Sequence, residues 1–167
     1  MEKTYFFTSS IKNDNKLKWL QFQIVRNSQF TNLRVNKFKS YVSPLCTYCE
    51  EYDETISHLY YKCTKIRDFW LSLAEFVAEF GISIPICEWT ILFGNHSEKP
   101  TSLSNILILW AKGFIWNNKF KNRDISINIF KHSLKHRLIE LIELDFFNEY
   151  YTELNNWNSF LNFFDLG

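Results

Sequence analysis

Three cysteines and one histidine lie within 18 residues of the chain, in an order that suits a metal ion. The run is Cys46, two residues, Cys49, eight residues, His58, four residues and Cys63. Three thiolates and one imidazole complete the tetrahedral shell that zinc takes at structural sites. The two-residue gap lets two thiolates grip one ion from a tight turn. The sequence therefore predicts one structural Zn²⁺ per chain, held in a small zinc-knuckle-like loop.

The number of ligands limits the chemistry of this metal. Four protein ligands leave no position for a water molecule, so the ion would not generate a hydroxide nucleophile. A metal-dependent nuclease would need clustered carboxylates with a lysine, and the acids near Glu140 and Glu143 come without such a cluster. We therefore expect no enzymatic activity. The alternative to a metal site is that the four residues are unrelated and that the cysteines are small buried apolar groups. Cys87 lies outside the motif, and we expect it in the core.

The composition favours long helices with short connections. Only 4 Gly and 3 Pro occur in 167 residues, whereas aromatic residues make up 19% of the chain. So few turn-forming residues argue against a many-stranded sandwich, and the length is sufficient to bury a real core. No apolar run approaches the roughly 20 residues that cross a bilayer. Thiolate ligands suit a reducing compartment, so we expect a cytoplasmic or nuclear protein.

Apolar residues at helical spacing predict the elements that position the metal loop. We expect a first helix from Lys16 to about Phe30 and a short second helix capped by Thr31. The clearest helix begins at Thr64, directly after the last ligand, and ends at Gly81. Its apolar stripe places Trp70 between the metal loop and the helical body. The stripe consists of Ile66, Phe69, Trp70, Leu73, Phe76, Val77 and Phe80. The metal loop thus lies between two helical segments.

The C-terminal half is also predicted to be helical. We expect one helical turn at 87–93 and a long helix capped by Thr101 or Ser102 and ending near Asn122. Another helix, capped by Asp124 or Ser126, should end near Leu144, and the tail at 146–164 should form one or two more helices. The expected organisation is a polar lead-in at 1–15, a zinc-binding region with flanking helices at 16–81, and a C-terminal helical region at 82–167 packed on it. The fold class is mainly α.

The net charge of +1 conceals a strong alternation of sign. Residues 1–45 and 110–137 each carry a surplus of six positive charges, and acidic segments follow both. Folding could gather the positive charge on one side, as a phosphate backbone requires, or each basic segment could pair with the acidic segment after it. The residues that we expect to meet phosphates are Lys112, Lys119, Lys121, Arg123, Lys131, Lys135 and Arg137.

Two further features could bind ligands. Tyr48 lies between two metal ligands, where its ring could stack on an unpaired base or instead wrap the metal core. His132 and His136 are four residues apart on a predicted helix, but no third metal ligand accompanies them, which favours a basic surface facing solvent.

The segment from Lys18 to Trp70 resembles the reverse-transcriptase zinc-binding domain at the C-terminal end of LINE-type (non-LTR) retrotransposon polyproteins. The resemblance rests on the ligand spacing and on the tryptophan seven residues after Cys63. Trp19, Arg26, Thr31-Asn32 and Ser43-Pro44 also agree with it, and residues 105–119 resemble the region that follows in that family.

This resemblance implies a nucleic-acid-binding appendage that helps a polymerase hold template RNA or target DNA. We therefore expect a zinc-stapled domain that binds RNA or single-stranded nucleic acid, with reverse-transcriptase domains of the same element as further partners. The alternative is a protein-interaction module that docks onto polymerase domains without touching nucleic acid. The two differ in salt dependence, because phosphate contacts weaken steeply as salt rises.

Overall fold

The computed structural model describes residues 14–99, 102–121, 124–143 and 157–166. These ranges contain no β-strand, and one isolated bridge joins Leu45 and Asp53. The predicted mainly α fold is therefore confirmed. The helices are α1 (Asn15–Val25), α2 (Asn32–Asn36), α3 (Thr64–Ala78), α4 (Glu88–Phe93), α5 (Leu103–Lys119), α6 (Ile127–Glu143) and α7 (Trp157–Phe163), with a π-helical turn at His58–Lys62. Within the described ranges, no helix combines the length and apolarity that crossing a bilayer requires.

Helix α1 is shorter than the sequence predicts. Asp14 caps its start, where the carboxylate accepts a hydrogen bond from the Leu17 backbone N–H at 2.9 Å. The helix ends at Val25, not near Phe30, because Asn27 adopts a left-handed conformation with φ of 50°. Asparagine tolerates this conformation better than most residues, so the chain turns there and restarts in α2. Thr31 stands at the predicted N-cap position of α2, although its side chain makes no capping hydrogen bond.

Helix α3 agrees closely with its prediction. It starts at Thr64, and six residues of the predicted stripe are buried on it: Ile66, Phe69, Trp70, Leu73, Phe76 and Val77. The seventh, Phe80, lies beyond the end of the helix and is half-buried. The chain leaves the helix through Gly81, whose φ of 71° is costly for other residues. The Trp70 indole is fully buried, and its Nε1–H donates to the Tyr60 carbonyl at 2.7 Å. Trp70 therefore packs between the metal loop and the helical body, as predicted.

Helix α5 is the central helix of the described structure. Ser102 caps its start, and every residue from Leu103 to Ile115 is buried. The helix ends at Lys119, three residues before the predicted end. A helix that is apolar on all sides is typically surrounded by other elements. Helix α1 packs against it, with Leu17 so near Gly113 that an added Cβ there would lie 2.5 Å from Leu17 Cδ2.

Aromatic rings join the remaining helices to this core. The Phe69 ring of α3 lies 5.8 Å from the Phe114 ring of α5 and 5.5 Å from the Phe130 ring of α6, measured between ring centroids. The Phe76 and Phe160 rings join α3 to α7 at 6.2 Å. Each of these rings fills space between two helices.

Cys87 and the C-terminal helices differ in how well they agree with the sequence predictions. Cys87, which we expected in the core, is exposed and caps α4, where its sulfur accepts a hydrogen bond from the Thr90 backbone N–H at 3.5 Å. Helix α6 ends at Glu143, close to its predicted end. Of the predicted tail helix, residues 157–163 form α7, and residues 144–156 lie outside the described part, as does the predicted lead-in up to residue 13.

Candidate metal centre

The metal loop is a tight hairpin followed by a π-helical turn. The Cys46 backbone N–H donates to the Tyr52 carbonyl at 2.8 Å, and the Glu54 N–H donates to the Pro44 carbonyl at 2.8 Å. Glu50 takes a left-handed φ of 58° at the tip, so the chain reverses directly after Cys49. The π-helical turn then carries His58 toward the same point, and Cys63 ends it at the start of α3.

The four predicted ligands lie together. One donor atom from each of Cys46, Cys49, His58 and Cys63 falls within 4.8 Å of every other. Cys49 Sγ lies 3.3 Å from His58 Nε2. Bond lengths of about 2.3 Å to sulfur and 2.0–2.1 Å to nitrogen place neighbouring donors of a tetrahedral zinc roughly 3.5–3.8 Å apart. The donor set therefore fits one zinc ion, with side-chain adjustments of an ångström or less.

The surroundings of Cys63 favour a thiolate, whereas those of Cys46 favour a thiol that donates a hydrogen bond to it. A hydrogen bond from the Cys46 thiol lowers the pKa of Cys63, and the same bond, together with burial, raises the pKa of Cys46. The Ile66 backbone N–H also lowers the pKa of Cys63, which caps the positive end of α3. The Tyr48 backbone N–H donates to Cys46 Sγ at 3.4 Å. Backbone donors thus point at the sulfurs that would carry negative charge on a metal.

His58 suits the role of a neutral ligand. Its side chain is buried, and this burial lowers the pKa of the imidazole. A lowered pKa keeps the ring unprotonated at neutral pH, which metal coordination requires. The His58 backbone N–H donates to Thr55 Oγ1 at 3.0 Å, which fixes the start of the π-helical turn.

Comparison with protein families agrees with this geometry. Residues 2–70 match the family described as zinc-binding in reverse transcriptase. The resemblance predicted from the ligand spacing is thus confirmed over this segment, which ends at Trp70. Comparisons with curated proteins and with solved structures gave no match.

A buried carboxylate connects this zinc-binding segment to the rest of the protein. Glu54 is wholly buried and accepts hydrogen bonds from the Asn32 backbone N–H at 2.8 Å and from the Thr47 backbone N–H at 2.9 Å. It also forms an ion pair with Lys119 at the end of α5. The sequence did not reveal this role, because Glu54 is the last of four acids in the loop and looks like its exposed neighbours.

Asn32 makes the second connection to the loop. Its side-chain amide donates to the Leu45 carbonyl at 2.7 Å and to Thr47 Oγ1 at 3.1 Å. Together with the backbone bond to Glu54, Asn32 thus makes three hydrogen bonds that hold α2 against the metal loop. The order of the metal loop and the position of α2 are coupled through this asparagine.

Tyr48 has a different environment from the one predicted for base stacking. Its ring is half-buried against the core, and its hydroxyl donates to the Ile115 carbonyl of α5 at 2.5 Å. This placement corresponds to the alternative in which the ring wraps the metal core. Tyr48 therefore joins the metal loop to α5.

Two of the predicted phosphate-binding lysines lie inside the protein. Lys112 is wholly buried, and its ammonium donates to Gln21 Oε1 at 2.5 Å and to the Leu92 carbonyl at 3.2 Å. Lys119 is buried against Glu54. Neither ammonium is accessible to a phosphate in this arrangement, so both assignments are corrected. A cluster of basic residues in the sequence does not show which of them lie on the buried face of a helix and which on the face in contact with solvent.

The other predicted basic residues are spread over the surface. Lys121 is exposed, Lys131 lies 3.8 Å from the centroid of the Phe76 ring, and Lys135 is 4.0 Å from Asp165. Arg137 is half-buried in an ion pair with Asp14. Arg123 lies outside the described residues. His132 and His136 are exposed, with their Nε2 atoms 3.1 Å apart, and no third ligand accompanies them among the described residues.

A more accessible basic surface lies beside the metal loop, apart from the residues predicted to meet phosphates. We define the α2 surface as Arg34, Lys37, Phe38, Lys39 and Tyr41. Phe38 is 75% exposed and Tyr41 is 82% exposed, and both flanking lysines are exposed as well. No acidic residue occurs between Arg26 and Val42. The alternation of basic and aromatic residues in this run could have been read from the sequence.

Proposed function

We propose that this zinc-binding domain binds RNA or single-stranded nucleic acid through the α2 surface. The observation that carries the proposal is the run Lys37-Phe38-Lys39-Ser40-Tyr41, in which every residue is exposed. Lysines supply contacts to phosphates, and accessible rings supply faces on which unpaired bases stack. Large rings in water have no role in the core, so their exposure supports a role in recognition.

The metal supports this surface indirectly. Asn32 holds α2 against Leu45 and Thr47, which lie on either side of the first ligand, Cys46. A zinc ion would hold the four ligands together and so keep the loop in the conformation that α2 requires. In this proposal the metal is structural, the four-ligand shell is closed, and the domain has no catalytic activity of its own.

The rival function is docking onto polymerase domains of the same element. The exposed rings Phe38 and Tyr41 would then bury against protein, and the lysines would keep the free domain in solution. The absence of any acid from this stretch of the sequence favours a polyanion over a mixed protein surface. Salt dependence separates the two functions, since counterion release accompanies phosphate contacts only.

The test is a titration of labelled single-stranded RNA, duplex RNA and duplex DNA at several salt concentrations. The double variant Lys37→Ala/Lys39→Ala should weaken binding to all three and reduce the salt slope for single strands by about 1.4, which corresponds to two lost phosphate contacts. Phe38→Ala/Tyr41→Ala should weaken single strands by roughly 1–3 kcal/mol per stacked base and leave duplexes nearly unchanged.

The matched control is Lys65→Ala, because Lys65 is an exposed lysine of α3 outside the α2 surface. It should leave affinity and salt slope unchanged. Equal affinities of the wild type and both α2 variants, or an affinity that does not depend on salt, would favour the docking function instead.

A further inference from the structure

A cleft of about 300 Å³ lies between α1 and α5. Leu17 and Leu20 of α1 and Gly113 of α5 line its apolar part, and Leu17 packs against Gly113 there. Trp19 of α1 and Trp116 of α5 also line it. The volume is at the lower end of the range for small-ligand pockets, which suits one planar group and not a folded partner.

The indole of Trp19 is unusually accessible for such a ring, with 60% of the residue exposed. It stacks on Phe22, with ring centroids 5.3 Å apart and an interplanar angle of 18°, and the Arg26 guanidinium lies 5.7 Å from the Phe22 centroid. The indole is thus supported by a layer of flat groups while much of its area meets water. A supported aromatic face is the kind of platform on which bases stack.

Trp116 is held from the other helix. Its ring meets the Phe120 ring edge to face, with centroids 4.9 Å apart, and the buried ammonium of Lys119 lies 5.2 Å from its centroid. The ion pair of Lys119 with Glu54 therefore also fixes one wall of the cleft. Both indoles are positioned by contacts that exist before any ligand binds.

Polar groups at the cleft match a nucleotide. Gln23 and Asn117 contribute side-chain amides, each with donors and an acceptor for a base edge or a ribose hydroxyl. Exposed Lys16 contributes a positive charge for a phosphate. The single acid, Asp14, is paired with Arg137 and caps α1. The cleft residues therefore carry a surplus of positive charge beside an aromatic, apolar interior.

We propose that this cleft receives one unpaired base of single-stranded RNA, stacked on Trp19 and enclosed by Trp116. We commit to RNA because the amides can bond with a 2′-hydroxyl, which DNA lacks. This inference rests on the proposed function and adds a second contact point to it, on α1 and α5 instead of α2. The residues involved are distinct from the α2 surface, so the two can be tested separately.

The test measures binding of a short single-stranded RNA, a DNA strand of the same sequence and an RNA duplex to the zinc-loaded chain. Trp19→Leu keeps an apolar side chain but removes the ring, so single-stranded RNA should bind about 5- to 150-fold more weakly, the range for one base–aromatic stack. Trp19→Phe should restore most of this affinity. Duplex RNA should bind the wild type and both variants alike, and the wild type should bind the DNA strand more weakly than the RNA.

Trp89→Leu is the matched control, since Trp89 is an exposed tryptophan of α4 outside this cleft. Helix content and zinc content, measured on each variant, show that the fold is retained. An unchanged affinity of Trp19→Leu for single-stranded RNA, combined with weakened binding by the α2 double variant, would overturn the cleft and leave the proposed function standing. Unchanged affinity in both would overturn both, and equal affinity of the wild type for RNA and DNA would overturn the assignment to RNA.

Discussion

Lys119 and Glu54 form an ion pair that is almost wholly removed from water, with exposed side-chain fractions of 5% and 0%. The two residues are 65 positions apart in the sequence. The pair therefore links the end of α5 to the metal loop, which are distant along the chain. Glu54 also receives backbone hydrogen bonds from Asn32 and Thr47. One carboxylate therefore ties three elements together: the metal loop, α2 and α5.

Removing one partner of this pair should be strongly destabilising. Lys119→Met leaves the Glu54 carboxylate buried without its cation, and we expect a loss of about 3–5 kcal/mol in the free energy of unfolding. Lys121→Met, at an exposed lysine two residues further on, is the control and should change stability by less than about 0.5 kcal/mol. Urea unfolding of the zinc-loaded protein measures both.

The double variant Lys119→Met/Glu54→Gln tests the pairing itself. A neutral amide can still accept a hydrogen bond from one of the loop donors, and no buried charge remains. We therefore expect the double variant to be more stable than Lys119→Met alone. Additive losses from the two substitutions would contradict a direct interaction between these side chains.

The buried indole of Trp70 predicts a second stability effect. Trp70→Ala should cost about 3–5 kcal/mol, because the ring fills the space between the metal loop and the helices. Trp70→Phe keeps most of the ring but leaves the Tyr60 carbonyl without its donor, so we expect about 1–3 kcal/mol. Thermal or denaturant unfolding distinguishes them, and a loss below 1 kcal/mol for the alanine variant would contradict the packing.

Tyr48 provides a prediction that separates structure from binding. Tyr48→Phe removes the hydroxyl that donates to the Ile115 carbonyl and keeps the ring. We expect a loss of about 1 kcal/mol in stability and no change in affinity for single-stranded RNA. If Tyr48→Ala weakened binding to single strands in a variant with normal zinc and helix content, a stacking role for this ring would stand after all.

Lys112 should make stability depend on pH. Burial lowers the pKa of its ammonium well below the ordinary value of 10.5. At pH values between the lowered pKa and 10.5, Lys112 binds more protons in the unfolded chain than in the native one. The free energy of unfolding therefore rises with pH across that window. The stability of the wild type relative to Lys112→Met should therefore increase with pH, measured by unfolding of zinc-saturated protein at several alkaline pH values. Parallel pH profiles would contradict this.

Local patterns in the sequence were sufficient to predict the metal ligands and most helices. The ligand spacing is a short-range property, and the stripe from Ile66 to Val77 repeats at helical period within one element. Ser102 as a cap and Gly81 as a helix end follow from the conformations that these residue types favour. Trp70 could be assigned to the core because it falls on that stripe.

Properties that depend on long-range contacts could not be predicted. Lys112 and Lys119 were assigned to the surface by charge, whereas their burial depends on partners far away in the chain, Gln21 and Glu54. The central position of α5 follows from its packing with α1 and the other helices. The early end of α1 depends on one backbone angle at Asn27, which cannot be predicted from the spacing of apolar residues.

The metal loop depends on a single zinc ion held by Cys46, Cys49, His58 and Cys63. The most direct measurement is the metal content of protein purified without chelator, for the wild type, Cys49→Ser and Cys87→Ser. We predict one zinc per chain in the wild type and in Cys87→Ser, whose cysteine lies outside the cluster, and loss of zinc from Cys49→Ser with most helix content retained. Wild-type protein without zinc, or equal zinc in all three proteins, would contradict the account.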